Sequence, residues 1–355
     1  MPSYYRLMLP PTASPRRVRA FTAALALCAA LGLLAPRASA QRGAPDPLDA
    51  ALEAYQSADF DTALRLLSAV KADTSVEVRR RARALQYLGR VYVAKNELDG
   101  ARASLTELLL LEPPLFEPDP DRETPPFVQL YYDVRQHVTG GYAVERADPG
   151  LQVLAIADFT NNSIDRHDYY EPFSRGLASM MINYMSGATD LKVVERERLA
   201  WVTQEQDLQR DASRVDQATA VRIGKLLGVQ AVLFGSYVVF NNRLNVSVRL
   251  VKVETGEILL AEQLDSRPDK FFEAIEQLSL QAARAINVQL DRTAVNARTE
   301  TRSLDAMMSY SEGLGLIEEK KYPEAYAKFV EALNYDANYE RARIKAESLR
   351  PMLQG

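Results

Sequence analysis

Two strand-length apolar runs stand two residues apart: "QAVLFGSYVVF", Gln230 to Phe240, and "RLNVSVRLVKV", Arg243 to Val253, separated only by Asn241-Asn242. Two residues make a tight turn and little else, so the runs are expected to pair as an antiparallel hairpin. Thr255-Gly256 marks a second turn before "EILLAEQL". In the second run Leu244, Val246, Val248 and Leu250 alternate with Asn245, Ser247 and Arg249, the period of a sheet covered on one face. A membrane strand of ~9–11 residues alternates in the same way. The half-buried sheet of a soluble domain is the simpler of the two readings.

The rest of the middle reads as mixed α and β. "LQVLAIADF" (151–159) is a continuous apolar run suited to a buried strand, and "LKVVE" is a short second one. Between them "EPFSRGLASMMINYM" sets Phe173, Leu177, Met180, Met181 and Tyr184 on one helical face. Further helices are expected from Arg196 and over "DQATAVRIGKLLG", the latter closed by Gly228 as a C-cap. In "KFFEAIEQLSLQAARAINVQL", Phe271, Ile275, Leu278, Ala282 and Ile286 form one stripe that should cover a face of the sheet. This α/β domain is expected over residues 150–292.

Three flanking segments share one grammar. "YLGRVYVAKNELDGARASLTELLLLEP" places Leu88-Gly89, Tyr92, Leu98, Ala101, Leu105 and Pro113 at tetratricopeptide (TPR) spacings. Gly89 and Ala101 let two antiparallel helices approach, while Tyr92 and Leu105 fill the space between them. An earlier copy carries Tyr55, Ala58, Phe60 and Ala63; a third, near the C-terminus, carries Gly313, Tyr322, Ala325, Phe329 and Ala332. The flanks are expected over 45–138 and 303–350. The third copy stands alone, so its apolar face must pack on something else or on the capping helix "NYERARIKAESLR". Six prolines in "EPPLFEPDPDRETPPF" forbid continuous helix there and favour an extended loop over 112–126, followed by a helix at "FVQLYYDVRQHV". The fold class is α+β, a central α/β domain between all-α hairpins.

Residues 1–40 read as an export signal: Arg16, Arg17 and Arg19 precede "AFTAALALCAALGLLA", and Ala38-Ser39-Ala40 offers a small-residue cleavage site. Cys28, the only cysteine, lies inside that run, preceded by Leu27 where lipidation wants a small residue. Cleavage after Ala40 leaves no thiol. It also removes five arginines and no acid, moving the formal net charge from −4 to −9, which argues against a phosphate-backbone binder.

The stretch "VVERERLAWVTQEQ" could be a cluster of reactive charges or a structural joint. Val193-Val194 ends a strand and Arg196 opens a helix whose Leu199 and Val202 point inward. Glu195 and Glu197 fall in the first turn, where carboxylates meet the positive helix end, and Arg198 is spaced to pair with Glu195. The joint needs no substrate. Trp201, the sole tryptophan, follows on the same helix as either a core or a subunit contact.

"VLAIADFTNN", "FSRGLASMMINYM", "LKVVERERLAWVTQEQ", "QATAVRIGKLLGVQAVLFGSYVVF" and "LVKVETGEIL" occur in an order that closely resembles the curli secretion channel (CsgG-like) family. Glu195, Arg196 and Leu199, with Gly224, Gly228 and Gly235, carry the match over about 151–290. The resemblance implies a bacterial envelope domain that assembles rather than catalyses, and it brings with it a ring of copies and outer-membrane association. The family's channels lend two β-hairpins per subunit to a membrane barrel. Here Asn241-Asn242 replaces the first, and the chain runs straight from Leu264 to the helix near Asp269 where the second belongs.

Chemistry finds little footing. His137 and His167 are the only histidines, and Asp165, His167 and Asp168 read as a solvated loop rather than a metal site, which wants further ligands. "GKLLG" lacks phosphate-loop spacing. Asp158 closes the first strand, either lining a cleft or capping the next turn. No cofactor and no enzymatic activity are expected. The expectation is a non-enzymatic assembly or secretion accessory of the periplasm or the periplasmic face of the outer membrane, binding protein through its TPR surface and no nucleic acid; the alternative is a channel subunit.

Overall fold

The computed structural model describes residues 46–111, 116–144, 152–205, 215–290 and 300–353. The export segment 1–40, Cys28 and residues 112–115 of the proline-rich loop lie outside them.

Five helices come first: α1 (Pro47–Gln56), α2 (Phe60–Ala72), α3 (Val78–Ala94), α4 (Leu98–Leu109) and α5 (Pro125–Thr139). The Asp46 and Asp59 side chains accept from the backbone N–H of Leu48 and Thr62, capping α1 and α2. Proline stands in the first turn of α5, where its missing N–H costs nothing. Three more helices close the chain: α11 (Leu304–Glu318), α12 (Tyr322–Tyr335) and α13 (Glu340–Leu349).

The α1–α2, α3–α4 and α11–α12 hairpins are turned in one way. Ala58, Asn96 and Lys320 each occupy the left-handed region, at φ 58°, 58° and 60°. The next N–H reaches back five residues, Asp59 to Ala54, Glu97 to Tyr92 and Lys321 to Leu316, at 2.8–2.9 Å. Five residues beyond each left-handed position lies a fully buried alanine, Ala63, Ala101 or Ala325, and nine beyond lies Leu67, Leu105 or Phe329, also fully buried. Gly89 of α3 lies beneath Leu105 and the Phe127 ring. Leu98, expected in the pattern, is exposed, since it starts α4 on the outer side.

Between the helical parts lies a sheet of β1 (Gln152–Ile156), β2 (Thr160–Asn161), β3 (Leu191–Val193), β4 (Ala231–Phe240), β5 (Arg243–Lys252) and β6 (Ile258–Ser266), with helices α6 (His167–Tyr170), α7 (Phe173–Met185), α8 (Arg196–Glu205), α9 (Gln217–Leu227) and α10 (Phe271–Ala285). Its order is β3-β1-β4-β5-β6, with β2 also beside β4. The β1 pairings and β2–β4 are parallel, whereas β4–β5 and β5–β6 are antiparallel.

Asn241 and Asn242 both take positive φ, as a two-residue turn of this hand requires. The second connection is longer than expected: it runs from Val253 to Glu257, closed by a Lys252 N–H to Glu257 carbonyl bond of 2.8 Å.

The period of two divides the sheet between two cores. Leu154, Ile156, Leu233, Tyr237 and the expected series Leu244, Val246, Val248 and Leu250 face a core built with α7, α10 and the C-terminal helices. Val153, Ala155, Val232, Phe234 and Val251 face the other, built with the N-terminal helices, α8 and α9. The α10 stripe is buried throughout, from Phe271 to Ile286. The third hairpin lies against α7: a Cβ on Gly176 would come within 2.1 Å of Ser311 Oγ and 2.7 Å of Met307 Sδ, so only glycine permits this approach. Among the described residues no helix is long and apolar enough to cross a membrane.

Candidate functional site

The joint at Glu195–Leu199 sits where α5, α8 and the C-terminal helices meet, and its charges reach much farther than one turn. Arg196 is buried, with a side chain 6% exposed. Its Nε and Nη2 each donate to Asp158 at 3.0 Å, and Nη2 also donates to Glu318 at the end of α11. Asp158, expected to close the first strand, lies two residues beyond β1 and orients this guanidinium. Arg175 of α7 adds a second cation to Glu318 at 3.0 Å. Desolvation pushes the Glu318 carboxyl upward, but Arg196 and Arg175 outweigh it and hold the group below its ordinary range.

The expected pairing of Arg198 with Glu195 does not form. Arg198 donates to Glu117 at 3.2 Å and to the carbonyls of Tyr142 and Ala143 at 3.1 and 2.8 Å, partners that a local helix rule does not see. The Glu195 backbone carbonyl instead accepts from the N–H groups of Arg198 and Leu199, opening α8. The surrounding protein, then Glu197 and Asp121, push the Glu195 carboxyl upward, although its outer face stays open to water. Leu199 is buried in the core shared with the N-terminal helices.

A second cation, Lys345 of α13, is 3% exposed at its side chain. It donates to Glu197 at 2.7 Å, to Asp121 at 3.0 Å and to the Pro120 carbonyl at 3.0 Å. Arg341, one turn earlier, donates to Glu300 at 3.1 Å and lies 3.5 Å from Asp121. Desolvation raises Asp121, yet Lys345 and Arg341 hold it well below the usual carboxylate range.

The proline-rich loop is thus a hub that sequence reasoning missed. Glu117 joins it to Arg198 and Lys192 in the middle domain, Asp121 to the C-terminal helices, and Glu123 to Arg90 of α3. The available signal was an acid at every second position, Glu117, Asp119, Asp121 and Glu123, in a proline-rich segment that turns back where the Arg122 and Glu123 N–H groups donate to the Asp119 carbonyl.

Trp201 lies inside this seam. Its Nε1 donates to Asp133 at 2.9 Å, and its ring packs on Tyr132 and Tyr142 with centroids 5.6 and 5.3 Å away. At 8% exposure it is a contact between α8 and α5. Beside it opens a cleft of about 110 Å³, walled by Val128, Tyr132, Ala200, Trp201, Leu314 and Ile317, with Arg196, Glu197 and Lys345 lining it as well. Tyr322 lines the same cleft. Gly89, Tyr92 and Ala101 lie away from it in the α3–α4 hairpin, where Tyr92 covers Gly100.

The histidine loop serves the fold. Asp165 accepts from the Asn241 N–H and so fastens the β4–β5 turn, while His167 remains half exposed beside Asp168 at 3.4 Å. Among the described residues no group of three or more His, Cys, Asp or Glu could hold a metal ion.

The family model for the curli production assembly/transport component CsgG matches residues 145–245, under a third of the chain. The middle of the chain therefore carries a CsgG-like region, ending earlier than the resemblance at 151–290 suggested. None of the curated proteins matches. Among solved structures, the LpoB C-terminal domain from Salmonella enterica is 20% identical over 34% of this chain and 86% of that one, with a TM-score of 0.26. TolB from Acinetobacter baumannii is 15% identical over 39% of this chain and 28% of that one, at 0.26. Lipoprotein GNA1162 from Neisseria meningitidis is 16% identical over 32% and 79%, at 0.25. Likenesses at such TM-scores decide nothing about fold or function here.

Proposed function

We propose that the protein is a non-enzymatic accessory of assembly or secretion in the bacterial cell envelope, in which a CsgG-like domain docks or self-associates and TPR-like hairpins bind protein. The observation that carries this reading is the use made of the matched motif. Arg196, a buried cation of the CsgG-like joint, is engaged by Asp158 and Glu318, so the motif ties the C-terminal hairpin to the middle domain. The shared turn geometry of the three hairpins supports the TPR-like assignment, and repeats of this kind act through their surfaces. The export signal expected at 1–40 agrees with an envelope location.

The channel reading needs strands that extend into a membrane hairpin. The two-residue turn at Asn241-Asn242 and the burial of Leu244, Val246, Val248 and Leu250 under α10 favour a soluble domain.

Osmotic shock of cells making the full-length chain tests the proposal. Release of the processed protein into the detergent-free fraction is expected; retention in the cytoplasm after shock would contradict the envelope role.

A further inference from the structure

The cleft beside Trp201 is built for more than packing. Its volume, about 110 Å³, lies below the ~150 Å³ of an engineered cavity that admits benzene, so it takes one aliphatic side chain and no drug-sized molecule. Its apolar walls come from three separate elements: Val128 on α5, Ala200 and Trp201 on α8, Leu314 and Ile317 on α11. The charged groups in its lining, Arg196, Glu197, Glu318 and Lys345, are already paired with one another or with Asp158 and Asp121. Three lining groups differ. Among the described residues, the Gln129 and Gln204 carboxamides have no hydrogen-bond partner and the Lys320 ammonium has no ion pair. The charges lining the cleft sum to one net positive, and the uncommitted one is Lys320, on the exposed turn between α11 and α12.

We propose that this cleft receives an aliphatic side chain from an extended acidic peptide of a partner protein, with the neighbouring acidic residue meeting Lys320 and the peptide main chain meeting Gln129 and Gln204. Carboxamides offer both a donor and an acceptor, which is what a main chain requires. The anchor enters as apolar atoms only, because every buried charge inside is already engaged and has nothing to offer a polar group. The inference rests on the protein-binding reading above and names the chemistry of the partner.

Trp201 is the sole tryptophan and lines this cleft, so its emission changes when the cleft is filled. Titrate the full chain with N-acetyl-Leu-Asp-amide and N-acetyl-Leu-Asn-amide. The expected result is a saturable change in Trp201 emission with both, about fivefold tighter for the aspartyl probe, the upper end for one exposed ion pair. Ala200→Leu, which fills the slot, is expected to abolish the response. Lys320→Asn is expected to equalise the two probes without loss of fold, since asparagine suits the left-handed position, as Asn96 does in the equivalent turn. No saturable response, a response that survives Ala200→Leu, or equal affinities in the unaltered chain would each overturn the proposal. Osmotic release does not depend on the cleft, so a failed titration with normal release removes the peptide site and leaves the envelope reading standing.

Discussion

Lys345 donates to Glu197 at 2.7 Å across 148 residues of chain, with its ammonium almost wholly buried between α13 and the CsgG-like joint. The same ammonium reaches Asp121 of the proline-rich loop. One cation therefore fastens three parts of the chain. Its desolvation is offset only while both carboxylates remain in place.

Lys345→Met should be strongly destabilising, by about 3 kcal/mol, because Asp121 and Glu197 are left facing one another without their shared cation. Urea unfolding measures the loss. A change within ~0.5 kcal/mol, the range of ordinary surface substitutions, would show the clamp to be ornamental.

Arg196→Lys should behave as a disruptive change despite keeping the charge. The two parallel donors to Asp158 and the third to Glu318 require a planar fork, which an ammonium lacks. Glu318→Gln should cost less, about 1 kcal/mol, since its side chain is one-third exposed and Arg196 keeps Asp158. Equal losses from the two variants would contradict this ordering.

Two carboxylates give opposite pH signatures. Asp121 titrates well below its ordinary value in the folded chain, so its stabilisation is complete above about pH 4 and is lost as the pH falls through the lower folded value. Asp121→Asn should flatten that acid limb. Glu195 is pushed up to about 8, so between its ordinary value and that point the folded chain holds a proton the unfolded chain has released, and stability falls as the pH rises. Water at its outer face weakens the effect, and Glu195→Gln should remove it. Melting temperatures at pH 3, 5 and 8 check both signs.

Ala101→Arg and Ala325→Arg place a guanidinium where the alanine is fully buried between paired helices, so each should lower stability by more than about 3 kcal/mol or prevent folding. Thermal melts that match the unaltered chain would show that the close helix packing is wrong. Gly176→Leu should instead detach the C-terminal helices from α7, read as new proteolytic cleavage between Leu304 and Leu353.

Local rules explain what could be read from the residues. Asn241-Asn242, the alternation from Leu244 to Leu250 and the Phe271 to Ile286 stripe each state their structure within a dozen residues, and each folds that way. The seam could not be read so. Arg196 finds Asp158 and Glu318 at separations of 38 and 122 residues, and nothing in helical or strand periodicity encodes such partners. Arg198 shows the error directly: the nearest acid in the right helical register was Glu195, but the backbone carbonyls of Tyr142 and Ala143 and the loop carboxylate of Glu117 lay in three dimensions where the guanidinium points. The proline-rich loop was legible as a break between helices, but neither its turn, where the Arg122 and Glu123 N–H groups donate to the Asp119 carbonyl, nor the start of α5 at Pro125, nor its role as a hub was legible.

The most direct measurement is the native mass, by light scattering, of the exported chain recovered without detergent. A monomer or small soluble oligomer is the result predicted for an envelope accessory that works through its helical surfaces. Recovery only in detergent, as a large ring of copies, would contradict the account and place the channel reading first.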